Sequence, residues 1–236
     1  MICLVDERIS EKCERALRIR GFYIIKLPAD KRLSEAVRSH PDMLTFTHKN
    51  TIIASAEYCE RYPYIFTDVR ELSSSVEMRF TEDTVAPRYP HDAVFNALVA
   101  DGYIFYKEDS ISAAVKEYAR GVGLIPVAVR QGYPACTTLA FGSAAITADR
   151  GMQRALAGKG IKVTLIENGD ISLPPHEYGF IGGASGVCGK EIYFLGDISA
   201  HKNADLILKA ISDEGYTPVS LSDEPLADLG RILVID

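Results

Sequence analysis

The chain has 236 residues, of which 47% are hydrophobic and 25% charged, and its net charge is −6. That length can bury one large core, and the composition excludes disorder, collagen and a coiled coil as the main architecture. An acidic chain with no Lys/Arg cluster is a poor nucleic-acid binder, because such binding rests on neutralising phosphates. No apolar run approaches the roughly 18 residues of a membrane span, so neither a nucleic-acid nor a membrane partner is expected. Met1 to Arg8 show no basic segment followed by a long apolar one, and no signal peptide is expected. The five cysteines, Cys3, Cys13, Cys59, Cys136 and Cys188, are odd in number and form no Cys-x-x-Cys pair. Neither a disulfide framework nor a structural zinc site is indicated, and a cytoplasmic setting is expected.

In chain order, short apolar strands alternate with amphipathic helices, and each strand ends near a residue suited to cap the next helix. Ile2–Asp6 leads into Ser10–Leu17. Thr51–Ser55 leads into Ala56–Cys59, and Tyr103–Tyr106 into Asp109 and Ser112–Lys116. Ala145–Asp149 leads into Gly151–Leu156, and Ile192–Asp197 into Ala204–Ile207. The strand ends at 6, 55, 109, 149 and 197 give a period of 40–54 residues, the mark of repeated supersecondary units. Asp6, Asp109, Asp149 and Asp197 recur at corresponding positions and are read as helix caps rather than catalytic groups.

After most helices a glycine opens a further apolar strand, at Gly21, Gly123, Gly160 and Gly215. A leading strand precedes each later unit, at Asp42–Thr47, Asp92–Val99, Cys136–Ala140 and Phe180–Gly183. The unit is strand, strand, helix, strand, least clear over Tyr62–Phe80. The first unit lacks its leading strand, and Arg231–Asp236 is a spare one. The economical solution is a single domain, 1–236, in which the last strand completes the first unit and closes a ring, removing exposed sheet edges. The expected fold class is therefore α/β, a closed five-bladed α/β propeller.

Such a ring resembles the pentein fold of guanidino-group-modifying enzymes. Gln131-Gly132-Tyr133-Pro134-Ala135-Cys136, Ala145-Ile146-Thr147-Ala148-Asp149 and Gly179-Phe180-Ile181-Gly182-Gly183-Ala184-Ser185-Gly186 resemble an uncharacterised bacterial family assigned to that fold. His40-Pro41-Asp42 resembles the His-x-Asp motif of the superfamily, and Met43-Leu44-Thr45-Phe46-Thr47 is similar to the arginine-deiminase version. Gly132–Thr138 resembles the segment around the superfamily's nucleophilic cysteine, two units after the His-x-Asp motif. The cysteine is here in mid-chain rather than near the C-terminus, and only Gly132 remains of the usual glycine pair.

The resemblance implies a Cys136 nucleophile, a His40 acid/base and an Asp42 that orients the histidine or holds a cationic amidine. Asp92 and Asp236 are candidates for the second substrate carboxylate. Asn96, on the same leading segment as Asp92, and Ser185, in the glycine-rich turn, are further candidate substrate contacts. Cys188 is the rival nucleophile. Cys3, Cys13 and Cys59 read as packing, His91, His48 and His176 as turn or loop residues, and His201 as a residue near a helix start. Gly182–Lys190 lacks the spacing of a phosphate loop, and no dinucleotide fingerprint follows the first strand. The five histidines show no ligand spacing, so no metal and no cofactor are expected. Two functions compete: Cys-dependent hydrolase or transferase chemistry on a small guanidine, amidine or related C–N compound, and a non-catalytic module that binds a small ligand or macromolecule.

Overall fold

The structure, a computed structural model, describes residues 1–235; the candidate Asp236 lies outside the described residues. Five three-stranded sheets share one wiring. In each, the leading strand runs antiparallel to the middle strand, and the middle strand runs parallel to the outer one. The second to fifth sheets lead with Thr45–His48, Leu98–Ala100, Thr138–Phe141 and Ser185–Cys188. The first sheet takes its leading strand, Leu233–Ile235, from the C-terminal end of the chain, with Leu4 opposite Leu233 and Ile2 opposite Ile235. The spare strand therefore pairs where the sequence predicts.

The parallel pair in each sheet needs a crossover, and helices supply it. Glu11–Ile19, Ala113–Gly121, Arg150–Ala157 and Ala204–Asp213 serve the first, third, fourth and fifth sheets. In the unclear second unit the crossover is two helices, Ala56–Arg61 and Pro63–Leu72, before the outer strand Glu77–Thr81. Pro63 explains the break: a residue before proline is pushed out of the helical region, and Tyr62 sits at φ −130°, ψ 58°. The helices present apolar positions four apart to the sheets, Cys13 with Leu17 and Met152 with Leu156, all buried. Gly21, Gly123, Gly160 and Gly215 adopt φ of 83°, 77°, 82° and 70°, as the turn ending a helix requires.

Two of the four predicted aspartate caps differ. Asp149 accepts from Met152 N, and Asp197 caps the turn Ile198–Ala200 through Ser199 N. Asp6 is instead buried and bound to Arg8, while Ser10 caps the first helix. Asp109 pairs with Lys107 on the surface, and Ser112 takes the cap. Asp6 and Asp109 lie too far ahead of their helices to reach the first-turn N–H groups; the serines do not.

Neighbouring sheets share core. Leu4, Ile53 and Ile104, from the middle strands of the first three sheets, belong to one cluster. Leu98 and Phe105 of the third sheet pack with Ala145 of the fourth, and Ile146 of the fourth with Ile192 and Phe194 of the fifth. Cys3 and Val5 of the first sheet pack with Tyr193 of the fifth. Cys3, Cys13 and Cys59 are buried. Among the described residues, no helix is long and apolar enough to cross a membrane.

The leading strands start later than the sequence predicts, at Thr45, Leu98, Thr138 and Ser185 rather than Asp42, Asp92, Cys136 and Phe180. The residues ahead of each strand form turns instead. Two of these are single helical turns, Pro41–Leu44 and Pro134–Thr137, each with proline at its first position. Proline suits that position because its missing N–H is unneeded there and its φ is preset. A threonine closes each turn: Thr45 Oγ1 donates to Pro41 O and Thr137 Oγ1 to Tyr133 O.

Candidate functional site

The two proline-led turns deliver Asp42 and Cys136 to one point. The Cys136 thiol donates to Asp42 Oδ2 at 2.7 Å. Asn96, on the turn ahead of the third sheet, secures the cysteine end of this contact. Its Oδ1 accepts from Ala135 N at 2.9 Å, and its Nδ2 lies 3.3 Å from Cys136 Sγ. Asp42, Asn96 and Cys136 are 3%, 1% and 4% exposed.

His40 precedes Asp42 at the cap of the same turn, and its side chain is fully buried. Neither ring nitrogen has a hydrogen-bond partner. Nε2 lies 3.9 Å from Asp6 Oδ2, and Nδ1 lies 3.9 Å from Asp228 Oδ1. Buried polar groups are almost always paired, so this ring is a marked exception. Glycine is needed beside it: Gly230 has φ +67°, and a Cβ there would sit 2.2 Å from His40 Cβ.

Asp228 is the residue that sequence reasoning missed. A two-stranded parallel sheet, Ile171–Ser172 with Leu226–Ala227, brings its segment across the fold. Asp228 N donates to Ser172 O, while its carboxylate accepts from Phe180 N at 2.9 Å and Gly230 N at 3.1 Å. Gly230 O in turn accepts from Asp42 N at 3.2 Å. The only local signal is an Asp-x-Gly just before the closing strand; apart from Gly230, its partners are distant in sequence.

The glycine-rich turn has a different role from the one expected of it. Gly183 N donates to Cys136 O, and Gly183 O accepts from Leu229 N and Arg231 N. A Cβ on Gly182 would lie 2.3 Å from Ala135 O. The turn is thus a backbone wedge between the cysteine turn and the Asp228 segment. The Ser185 hydroxyl lies within hydrogen-bond distance of Ile181 O at 2.8 Å and Gly182 O at 3.1 Å, which ties the turn to its own strand, and Ser185 is not in the wall of the cavity over the cluster. Cys188 lies at the far end of that strand, with Sγ 3.2 Å from Met1 Sδ, and is not part of the cavity wall.

A cavity of about 490 Å³ opens over the cluster, with Cys136, His40, Asp228 and Asp92 in its wall. Asp92 Oδ2 accepts from Tyr133 OH at 2.6 Å, and its buried Oδ1 has no partner. His176, read as a loop residue, stands in the rim with Glu177 and Tyr178. His91 is exposed. His48 bonds Tyr118 OH, and His201 Nδ1 accepts from Asn203 N.

Burial governs the protonation states. It pushes the Cys136 thiol well above its ordinary value, helped by the charges of Asp42 and Asp228. Burial also raises Asp42, against the pull of the Cys136 hydrogen bond and the Arg231 charge. Asp228 is raised to about 7 by burial and the neighbouring Asp42. His40 is lowered to about 3 by burial and the Arg8 charge, so it is a neutral imidazole at neutral pH. The site therefore holds a thiol, a neutral base and buried carboxylates, with Arg231 acting on Asp42. Donor atoms of His40, Asp42 and Cys136 lie within 4.8 Å of one another, a nitrogen, oxygen and sulfur set that could also hold a divalent metal ion. Their positions, 40, 42 and 136, give no ligand motif in the sequence.

Solved structures share this architecture. DDAH from Pseudomonas aeruginosa, complexed with citrulline, matches with a TM-score of 0.57 at 12% identity, over 94% of this chain and 92% of that one. SxtG, an amidinotransferase from Microseira wollei, matches with a TM-score of 0.54 at 10% identity, over 94% and 88%. The agmatine deiminase of C. jejuni matches with a TM-score of 0.53 at 6% identity, over 94% and 76%. These likenesses, with the repeated sheets, define the chain as a protein of the pentein fold. Within that fold it belongs to a family of unknown function, DUF6873, whose profile matches residues 4–233. No curated protein matches the sequence.

Proposed function

We propose that the protein is a Cys136-dependent hydrolase or transferase acting on a small guanidine, amidine or related C–N compound. The observation that carries this reading is that Cys136, hydrogen-bonded to the buried Asp42, shares one cavity wall with an unpartnered His40. Five sheets that share core with successive neighbours, and a C-terminal strand paired into the first sheet, support a closed five-bladed, single-domain ring with this cluster near its axis. A cytoplasmic setting belongs to the same proposal, since a thiol nucleophile must stay reduced.

The chemistry follows from the electrostatics. Burial and the charges of Asp42 and Asp228 disfavour the thiolate, because its charge would add to theirs. A planar cation seated between Asp42 and Asp228 reverses that balance and lowers the thiol pKa, so the ligand activates its own nucleophile. The thiolate attacks the central amidine carbon and forms an S–C bond. The bond from that carbon to the departing nitrogen then breaks, and a proton on that nitrogen completes the leaving amine. Neutral His40 accepts the proton of the thiol or of the incoming nucleophile and returns it to the leaving group. Water attacking the S–C adduct gives hydrolysis, and a second amine gives transfer; either route restores the thiol.

A cationic affinity label tests this reading. Intact mass after treatment with 2-chloroacetamidine should show fast single labelling that is lost in Cys136→Ser and kept in Cys188→Ser. Labelling no faster than that of denatured protein would favour a binding module instead.

A further inference from the structure

Resting on that reading, we propose that the natural ligand is a guanidine or amidine whose tail carries a second cation and no carboxylate. The charged residues of the cavity wall carry the inference. Asp92, Asp228 and Glu177 line it, and among the described residues no Lys or Arg does. Arg231, the cation whose charge acts on Asp42 and Cys136, stands outside that wall. A carboxylate entering here would lose its hydration, face three acidic groups and find no Lys or Arg side chain to replace the water.

The acidic groups are not equivalent. Asp228 stands beside His40 with its oxygens engaged by Phe180 N and Gly230 N, and shares the head-group end with Asp42. Asp92 is held from a different direction by Tyr133 OH, and its buried Oδ1 is unsatisfied. An ammonium donates to such an oxygen and removes the orphan. Fully buried His40 in the same wall, with both nitrogens unpartnered, is independent evidence that the cavity is built for a polar ligand. The volume of about 490 Å³ is that of a small-molecule site, with room for a tail beyond the planar head. Tyr133, Tyr178 and Phe180 give that tail aromatic walls, which a cation tolerates and a carboxylate does not.

Three ligands separate the possibilities: agmatine, with an ammonium tail; butylguanidine, with an apolar one; and arginine, with an α-carboxylate. Calorimetric titration of Cys136→Ser should rank agmatine about tenfold tighter than butylguanidine, the worth of one charged hydrogen bond. Arginine should bind at least about tenfold more weakly than agmatine, and wild-type turnover should follow the same order. Asp92→Asn should level agmatine with butylguanidine. Glu177→Gln, on the exposed rim, should narrow the gap and gives a second measure should the Asp92 variant fold poorly. Arginine binding as tightly as agmatine, with Cys136 still labelled by the cationic probe, overturns the ligand class and leaves the enzyme reading standing. No binding of any of the three, together with no selective labelling, overturns both.

Discussion

The Cys136 thiol and the Asp42 carboxylate lie 2.7 Å apart although 94 residues separate them. A thiol that donates to a buried carboxylate is a protected group, since its ionisation would place two anions side by side. Asp42→Asn removes one of those charges. The variant is expected to react faster than wild type with neutral iodoacetamide and slower with chloroacetamidine. Parallel rate measurements by mass spectrometry check this; acceleration with both reagents would deny Asp42 a part in holding a cation.

Asn96 joins the third sheet to the cysteine turn through Ala135 N and Cys136 Sγ. Asn96→Ala leaves a buried backbone N–H without its acceptor, at a cost of about 1–3 kcal/mol. A lower denaturant midpoint is expected, with slower amidine labelling because the thiolate loses a donor. Unchanged labelling alongside reduced stability would limit Asn96 to a structural role.

The pH dependence of stability has opposite signs for two neighbours. His40 is depressed to about 3 in the folded protein, so its contribution is complete above its unfolded value of 6.5 and is lost as pH falls toward 3. Asp228 is raised from 3.8 to about 7, so its contribution is complete below 3.8 and is lost as pH rises toward 7. Between pH 4 and 6.5, Asp228→Asn should therefore gain stability relative to wild type as pH rises, and His40→Asn should lose it. Thermal unfolding at half-unit pH steps reads both slopes; slopes of the same sign would refute the assignment.

Gly182 and Gly230 are the backbone contacts that hold the cluster together. Gly182→Ala drives a Cβ into the Ala135 and Cys136 carbonyls, and Gly230→Ala drives one into His40 from a left-handed backbone. Each is expected to destabilise by at least about 1–3 kcal/mol, the usual cost of overpacking. Gly189→Ala serves as a comparison, because its φ of +56° is also strained but its surroundings are open. Equal losses in Gly230→Ala and Gly189→Ala would mean that backbone strain alone matters at Gly230.

The His40, Asp42 and Cys136 donors predict that Zn²⁺ competes with the cationic probe. Labelling of Cys136 is expected to slow with micromolar Zn²⁺ and to recover with a chelator, less markedly so in His40→Asn. Labelling indifferent to Zn²⁺ would show that the three donors do not act together.

The repeated unit was legible in the chain's local pattern. Strand alternation, helix periodicity, capping serines and left-handed glycines are local, and each is enforced within a few residues of itself. The spare strand after Arg231 was legible too, because a missing leading strand at one end and an unpaired one at the other leave a single economical pairing. His40, Asp42 and Cys136 stood out through short motifs, and Asp92 and Asn96 through their place on an expected leading strand. What the local pattern did not carry was how those leading segments begin: Pro41 and Pro134 start a helical turn, so Asp42 and Cys136 project from turns rather than strands.

The rest of the site depends on contacts between segments far apart in the chain. Asp228 enters it because a small sheet joins Ile171–Ser172 to Leu226–Ala227, a pairing between segments too short to show a strand pattern. Ser185 is tied to its own turn, where two carbonyls engage its hydroxyl. The charge state of the cluster is likewise a tertiary property. Each group carries an ordinary pKa in the unfolded chain, and only burial beside partners from distant units makes the thiol reluctant, the histidine neutral and the carboxylates receptive to a cation.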